Sequence, residues 1–547
     1  MLLRRRWKLV IFALVLAPLM YWLLSPLADA RFRIVDDQAK LAAKQAFLSA
    51  RAQASARQGA PAPGRRPNIV LILADDLGKT DISMYGSRLI RTPNIDSIGQ
   101  NGATFSEGYI TSPICAPSRA GLLTGRYQQR FGFELIVHER YPRNRLEYLV
   151  FKHVLARRGD WKVADEMVAP EFDQVLKQGL PPSEITVAEL LKASGYSTAI
   201  MGKWHLGANS SSIPIHRGFD YHYGFYGAQT LYARTDHPEI VNQHGDDFSD
   251  KFMWSRHGEN CVLRRNDEPV DEELYLTTKI AHESSQWILQ HKNDPFFLYI
   301  PFSAPHAPLQ ATRKYFDRFA HISDPHKRVY LAMIAALDDA VGEVLTTLRD
   351  ANLEQNTLVI FLSDNGGATY THATDNAPLR GGKFTNFEGG INIPFMVQWK
   401  GQLPAGRRYA QPVSSLDIFP TLAAAAAAEL PTDRTYDGVN LLPLLSGNAG
   451  QQPPALHSAL YWRSLYTKAI RRGRYKLIRD DLAGRTVLFD VESDKSELNN
   501  LAAQSPDVVS SLLRELSSWE AGLQNPLWPR VMDYHHRDRD GVYYFPL

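Results

Sequence analysis

The sequence predicts an α/β protein: a large, mostly parallel sheet flanked by helices, followed by a smaller C-terminal α+β domain made of an antiparallel sheet plus one helix. Three observations predict it. Wholly apolar, β-rich runs in "NIVLILADDLG", "YSTAIMGKWHLG", "PFFLYIPFSAPHAP" and "TLVIFLSDNGG" are separated by helical stretches such as "ITVAELLKASG" and "MIAALDDAVGEVLTTLRD". Strands buried on both faces of a sheet require such continuous apolar runs. Each run ends abruptly in polar residues, as expected where the carboxyl ends of parallel strands share one ligand-binding edge. After "DGVNLLPLLSGN" the pattern changes: "SLYTKAIRRGRYKLIRDDLAGRTVLFDVES" reads as short amphipathic strands with tight turns, and "SPDVVSSLLRELSSWEAGL" as an amphipathic helix.

Taken in chain order, residues 1–30 begin with Arg4, Arg5, Arg6 and Lys8 ahead of an apolar run from Leu9 to Leu27. The basic flank holds that end in the cytoplasm, so the rest of the chain is expected to be exported, to the periplasm or another extracytoplasmic space. The run is long for a cleaved signal and slightly short of the ~20 residues of a spanning helix, while Ala28-Asp29-Ala30 resembles a cleavage site. Cleaved signal and retained membrane anchor both remain open. Residues 31–66, with a polar Ala/Gln/Arg tract closed by "GAPAPGRRP", read as a tether. Residues 67–455 are the expected catalytic domain and 456–547 the C-terminal one.

Composition bounds the partners. A chain of 547 residues that is 44% hydrophobic can bury a large core and divide into at least two globular parts. Lys and Arg number 61 against 58 Asp and Glu, a near balance that gives no concentrated basic face and argues against a nucleic-acid partner.

The strand ends deliver the chemistry. Asp75 and Asp76 follow the first run, Lys203 and His205 the second, His306 the third, Asp364 and Asn365 the fourth. Singly, each is more often a turn or surface residue than a catalyst. Together, three carboxylates and an amide form a hard-oxygen set suited to Ca²⁺ or Mg²⁺, and two lysines (Lys203 and Lys383), Arg119 and two histidines suit a multiply charged oxyanion. A binuclear zinc site would want more histidine and carboxylate ligands. Cys115 precedes Pro117, which suits the first turn of a helix through "SRAGLLTGRY", where free N–H groups attract anions. A thiolate phosphatase would need an arginine six residues on, and position 121 is glycine. Cys115 and Cys261 could form at most one disulfide.

These segments resemble the formylglycine-dependent type I sulfatases of the alkaline phosphatase superfamily. The similarity runs from Pro67 to about Leu523 and rests on "CAPSRAGLLTGRY", "ILADDLG", "GKWHLG", "PHAP", "SDNGG" and "PLRGGKFTNFEGG" in the family's order. The spacing in "DNAPLRGGKFTNFEGG" is similar to the arylsulfatase and N-acetylgalactosamine-4-sulfatase branch. The resemblance implies an alkaline phosphatase-like fold and a sulfuric ester hydrolase. It implies that Cys115 is oxidised to formylglycine (3-oxoalanine) by a formylglycine-generating enzyme, and that the hydrated aldehyde attacks sulfur and later expels sulfate. By the same resemblance, Asp75, Asp76, Asp364 and Asn365, with residue 115, hold Ca²⁺. Arg119 and His205 hold the hydroxyls of residue 115, and Lys203, His306 and Lys383 bind sulfate oxygens. His205 is a candidate base, and His306 or Lys203 a candidate acid.

The expected substrate is a sulfated saccharide, with aryl sulfates as surrogates. Export and the aromatic segments "RGFDYHYGFYGAQTLYARTDHPEI" and "NPLWPRVMDYHHRDRDGVYYFPL" motivate that expectation. Related phosphonate and phosphodiester hydrolases also use formylglycine, so a phosphoryl substrate is the nearest alternative. A non-catalytic carbohydrate-binding protein would not require the full residue set. Residues 131–180 are longer than the family's usual connection and are expected to form a lid, a pocket wall or a surface elaboration, and 221–266 are similarly open in role.

Overall fold

A computed structural model describes residues 14–57, 66–156, 160–166, 168–245, 254, 259–447 and 455–547. Arg4, Arg5, Arg6 and Lys8 lie outside them.

The large sheet has ten strands: β1 (Asn68–Ala74), β2 (Ala103–Phe105), β3 (Ser197–Lys203), β4 (Tyr221–Phe225), β5 (Arg264–Arg265), β6 (Glu268–Pro269), β7 (Phe296–Pro301), β8 (Thr357–Ser363), β9 (Phe395–Gln398) and β10 (Arg407–Tyr409). Their order is β10-β2-β9-β8-β1-β7-β3-β4-β5-β6. The four predicted runs are the central strands β8, β1, β7 and β3, paired in parallel, and β1 is in register with Phe297–Pro301 on one side and Thr357–Ser363 on the other. Antiparallel pairing appears toward both ends, where β9 joins β8 and β5 joins β4.

The alternation of β1 explains the two-sided core. Ile69, Leu71 and Leu73 point into one apolar layer, with Leu122 and Leu123 of α2 (Cys115–Thr124) and Leu190 and Leu191 of α3 (Val187–Ala193). Val70, Ile72 and Ala74 point into the other, against Ile280 and Ile288 of α4 (Leu276–Gln290) and Val341 and Val344 of α5 (Pro325–Asp350). A period of two places successive side chains on opposite faces, so a strand covered on both sides must be apolar throughout. All seven residues of β1 are buried.

The C-terminal domain contains the expected antiparallel sheet, in the order β11 (Leu460–Ser464), β12 (Thr467–Arg472), β13 (Tyr475–Asp480), β14 (Arg485–Asp490). Helix α6 (Pro506–Glu520) covers it, with Leu512 and Leu516 packed on Ile470, Leu477 and Leu488. The last two strands, β15 (Met532–Asp538) and β16 (Gly541–Pro546), form a hairpin whose β15 pairs with Trp161–Val163 of the 131–180 insertion. A strand drawn from each side thus ties the tail to the catalytic domain. Buried ion pairs add to the bond: Lys476 lies 2.9 Å from both Glu388 and Glu497, and Arg471 lies 2.5 Å from Glu107.

The 31–66 tract differs from a free tether. Residues Gln38–Arg57 form helix α1, which lies against α3. Its buried Lys44 donates to Glu189 at 2.6 Å and to the carbonyls of Pro182 and Glu184 at 2.8 Å, and Arg51 donates to Ser194 and to the Ala427 carbonyl. Leu41, Lys44, Phe47, Leu48 and Arg51 share one helix face, a stripe too short and too polar for average composition to reveal. Before it, residues 14–24 are helical, with Leu14, Tyr21 and Trp22 exposed. Among the described residues no helix is long and apolar enough to cross a membrane. The candidate cleavage site is built into the fold: Leu27 exchanges backbone hydrogen bonds with Arg143 and Ala169, and Asp29 donates to Ala169.

Candidate active site

The four strand ends and the N-terminus of α2 converge as predicted. Asp75, Asp76, Cys115, Arg119, Lys203, His205, His306, Asp364, Asn365 and Lys383 are all buried at one sheet edge. Because β8, β1, β7 and β3 run in parallel, their carboxyl ends bring residues up to 289 positions apart into contact. Ser118 hydroxyl donates to the Cys115 carbonyl, closing the first turn of α2 over the site.

Each carboxylate has a cation. Arg119 donates twice to Asp364 Oδ2, at 2.9 and 2.7 Å, and lies 3.6 Å from Asp75. Lys203 Nζ donates to Asp75 Oδ2 at 2.6 Å, and Lys383 Nζ lies 2.9 Å from Asp76 Oδ1. Asn365 Nδ2 donates to Asp76 Oδ1 at 2.7 Å. Cys115 Sγ is 4.0 Å from Asp76 Oδ1, and His306 Nε2 is 3.6 Å from Asp76 Oδ2. Three carboxylates and three cations therefore balance, so burial is tolerable.

The donor set fits a hard cation. Asp75 Oδ1 and Asn365 Oδ1 are buried acceptors with no protein partner, an arrangement that costs free energy unless something positive meets them. Ligand atoms of Asp75, Asp76, Cys115 and His306 all lie within 4.8 Å of one another. Asp364 sits beside this group, one oxygen taken by Arg119 and the other accepting the Asp76 N–H at 3.2 Å. The oxygens of Asp75, Asp76, Asp364 and Asn365 suit Ca²⁺ or Mg²⁺.

The two histidines differ. His205 is buried with neither ring nitrogen partnered, whereas His306 Nδ1 is hydrogen-bonded to the Ala307 carbonyl, which leaves Nε2 facing the carboxylates. Burial, reinforced by Lys203 and neighbouring cations for His205 and led by Lys383 for His306, holds both well below the ordinary imidazole value. Asp76 and His205 have φ of 60° and 59°, the left-handed region that non-glycine residues enter at a cost of ~1–3 kcal/mol. Strain of this kind collects where surrounding structure fixes a functional side chain.

Burial pushes the Cys115 thiol up to about 12, with Lys203 and Lys383 only partly offsetting it. A thiol so high is not a thiolate nucleophile at neutral pH. Cys115 and Cys261 are both buried and unbonded to each other.

The sequence did not point to the residues that steady this arrangement. Tyr232 donates to the carbonyls of Ser303 and His306, and Tyr330 to the Asp76 carbonyl and Asp81. They reach the site from other segments, and only the folded topology reveals them. Off the site opens a cavity of about 620 Å³, with His205 in its wall beside Tyr226 and Cys261. Residues 136–151 of the insertion supply most of one side, so that segment is a pocket wall, and the 221–266 segment lines another side.

A parallel-sheet edge that gathers a hard-oxygen cation site, a buried cysteine at a helix N-terminus and a ring of cations defines a hydrolase of anionic esters. The family profile described as Sulfatase matches residues 67–428, and one described as N-sulphoglucosamine sulphohydrolase, C-terminal, matches 382–521. This chain belongs to the sulfatase family and is a sulfuric ester hydrolase. It is 29% identical over 542 residues to the steryl-sulfatase of Rattus norvegicus, covering 86% of this chain and 87% of that one. It is 34% identical over 427 residues to the N-acetylgalactosamine-6-sulfatase of Sus scrofa, covering 76% and 72%. Among solved structures, Ps i-CgsB in complex with k-i-k-neocarrahexaose superposes with a TM-score of 0.69 at 31% identity, covering 85% of this chain and 95% of that one.

Proposed function

We propose that the protein hydrolyses an organic sulfate ester with residue 115 as formylglycine and Ca²⁺ held by Asp75, Asp76, Asp364, Asn365 and residue 115. The observation that carries this reading is the pair of orphaned buried oxygens, Asp75 Oδ1 and Asn365 Oδ1, facing a cysteine too strongly protonated to act as a thiolate. Formylglycine supplies a hydroxyl nucleophile, and Ca²⁺ supplies positive charge that favours its ionised form and a sulfate oxygen.

The chain's own residues do the rest. Lys203, Lys383 and His306 surround Asp75 and Asp76 and are placed to bind the sulfate oxygens. Arg119, fixed by two hydrogen bonds to Asp364 Oδ2, holds the group at residue 115 without turning away. His205 is neutral and unpartnered, so one ring nitrogen is free to accept a proton. Lys203 is the group that can hand a proton to the leaving oxygen, whereas neutral His306, with its proton on Nδ1 against the Ala307 carbonyl, would first have to gain one at Nε2. Adding a dication and a sulfate monoester to a balanced site leaves one net positive charge, which favours the negative charge that develops during transfer.

A saccharide is the substrate expected from the sequence. The aromatic residues behind that expectation are mostly core: Tyr223, Tyr232, Tyr534 and Tyr543 are buried, as is Tyr226, although Tyr226 also borders the cavity. Maturation by a formylglycine-generating enzyme and export with a retained N-terminal membrane anchor belong to the same reading. The backbone bonds of Leu27 and Asp29 to residues 143 and 169 support retention, because cleavage at Ala30 would remove them. A reporter fused after Leu547 is expected to be active only outside the cytoplasm of a bacterial host, and cytoplasmic activity would refute export. For the chemistry, initial rates on matched aryl sulfate and aryl phosphate esters, with EDTA and then Ca²⁺, are decisive. Sulfate is expected to be preferred, EDTA to abolish turnover and Ca²⁺ to restore it. A phosphate preference, or full activity after metal removal, would overturn the assignment.

A further inference from the structure

The cavity off the active site is larger than a sulfate needs and differs from it in character. Its volume of about 620 Å³ is that of a pocket for a whole small molecule. Ile136, Val137, Leu146, Val150, Phe151 and Met532 are among its lining side chains. The imidazole in its wall besides His205 is His138, which burial pushes down to about 4 and which is therefore uncharged at neutral pH. The charged lining residues are Glu139, Arg140 and Glu147; Arg140 is 70% exposed and lies 3.9 Å from Glu147, whose carboxylate is paired with Arg143 at 2.5 Å. A saccharide subsite would present fixed donors and acceptors for ring hydroxyls, because buried polar groups of a sugar must be matched. This wall presents mainly methyl and methylene groups, with Gln229 and Asn260 its amides.

Two further observations concern the mouth. Leu146 and Val150 are 40% and 42% exposed although they line the cavity, and the same insertion exposes Val154, Phe172 and Leu176. That insertion is where the apolar N-terminal helix is tied down: Leu27, Tyr148 and Phe151 pack against one cluster of Tyr141, Ala169 and Val531, and Arg145 bonds Ser25 and lies over the Trp22 ring. The apolar cavity, its apolar lip and the apolar N-terminal segment are thus continuous.

We infer that this cavity holds the apolar body of the leaving alcohol, so that the preferred substrate is the sulfate ester of an extended hydrophobic alcohol or phenol rather than of a sugar. The inference rests on the sulfate hydrolase reading above. His205, which also borders the catalytic cleft, marks the inner end of the cavity, and the lip is where the far end of the alcohol emerges. Such an amphiphile can arrive from water or from a lipid surface, and the chemistry of the pocket is the same for both.

The test uses the full chain and a series of 4-alkylphenyl sulfates, methyl to octyl, whose phenols differ little in acidity, so the chain length isolates burial. The ratio kcat/KM is expected to rise about threefold to fourfold per methylene until the cavity is filled. Galactose 6-sulfate is expected to be poorer than the octyl ester by at least a hundredfold. Val150→Asp, at a half-exposed position where folding is undisturbed, is expected to lower the octyl-to-methyl ratio by tenfold or more, mainly through KM. Presenting the octyl ester in phosphatidylcholine vesicles and as monomer distinguishes the sources: a higher rate at equal total ester in vesicles marks delivery from the bilayer, an equal or lower one delivery through water. A flat chain-length profile with turnover intact, or a preference for the sugar sulfate, would overturn the inference while leaving the hydrolase standing. No sulfate release from any ester would overturn both.

Discussion

The catalytic cleft and the cavity beside it share His205 and little else. In the cleft, ten polar or ionisable side chains are buried, with three carboxylates matched by three cations. In the cavity wall, aliphatic side chains stand half in solvent at Leu146 and Val150, beside the exposed Arg140. The cleft is built on the ends of central parallel strands and cannot move without disturbing the core. The cavity is built on an insertion and on the C-terminal tail, packed against that core from outside. The difference teaches that reaction and substrate choice are carried by separate parts of the chain: rigid strand ends for the first, loop-borne surface for the second.

The comparison breaks most sharply at Asp364. Asp364→Ala leaves Arg119 without its bidentate partner and removes a cation ligand, so turnover of every sulfate ester should fall on the order of 10³-fold or more. Calcium content measured on the purified variant should fall with it. Retained metal with lost activity would assign Asp364 to Arg119 alone. A loss confined to apolar esters would contradict the separation of the two regions.

A smaller effect sharpens the other side. His138, held neutral by burial with its pKa pushed down to about 4, must take up a proton on unfolding at mildly acid pH. Its folded pKa lies below the unfolded value of 6.5, so the unfolded chain binds more protons between pH 6.5 and 4, and stability falls as pH drops through that window. The contribution at pH 5 is ~2 kcal/mol by linkage. His138→Gln should therefore reduce the loss of melting temperature between pH 7 and pH 5. The preference for long-chain over short-chain esters should stay flat over the same range, because the wall carries no new charge. A preference that collapses by pH 5 would show that the wall titrates.

Much of the cleft could be read in the sequence because strand ends announce themselves. An apolar run that stops at Asp75-Asp76, or at Asp364-Asn365, carries both its placement in a sheet and its chemistry in one segment. The cavity could not be read that way. "ELIVHERYPRNRLEYLVF" has no period that says which side chains face inward, and its partner residues Val531 and Met532 arrive from the far end of the chain. The tract at 31–66 failed for a related reason. Its mean composition is polar, but Lys44, Phe47 and Leu48 fall on one helix face, and a single buried ion pair with Glu189 docks it. Tyr232 and Tyr330 left no signal at all, since a buried tyrosine in a core and one that bonds a catalytic backbone look alike in sequence.

The central claim is that Cys115 works as formylglycine and not as a thiol. Peptide mass spectrometry across "SPICAPSRAGLLTGR", run on preparations whose sulfate-releasing activity has been measured, tests it directly. The account predicts that specific activity rises in proportion to the fraction of residue 115 found as the aldehyde or its hydrate, and vanishes where only cysteine is found. A fully active preparation whose residue 115 is unmodified cysteine throughout would contradict it.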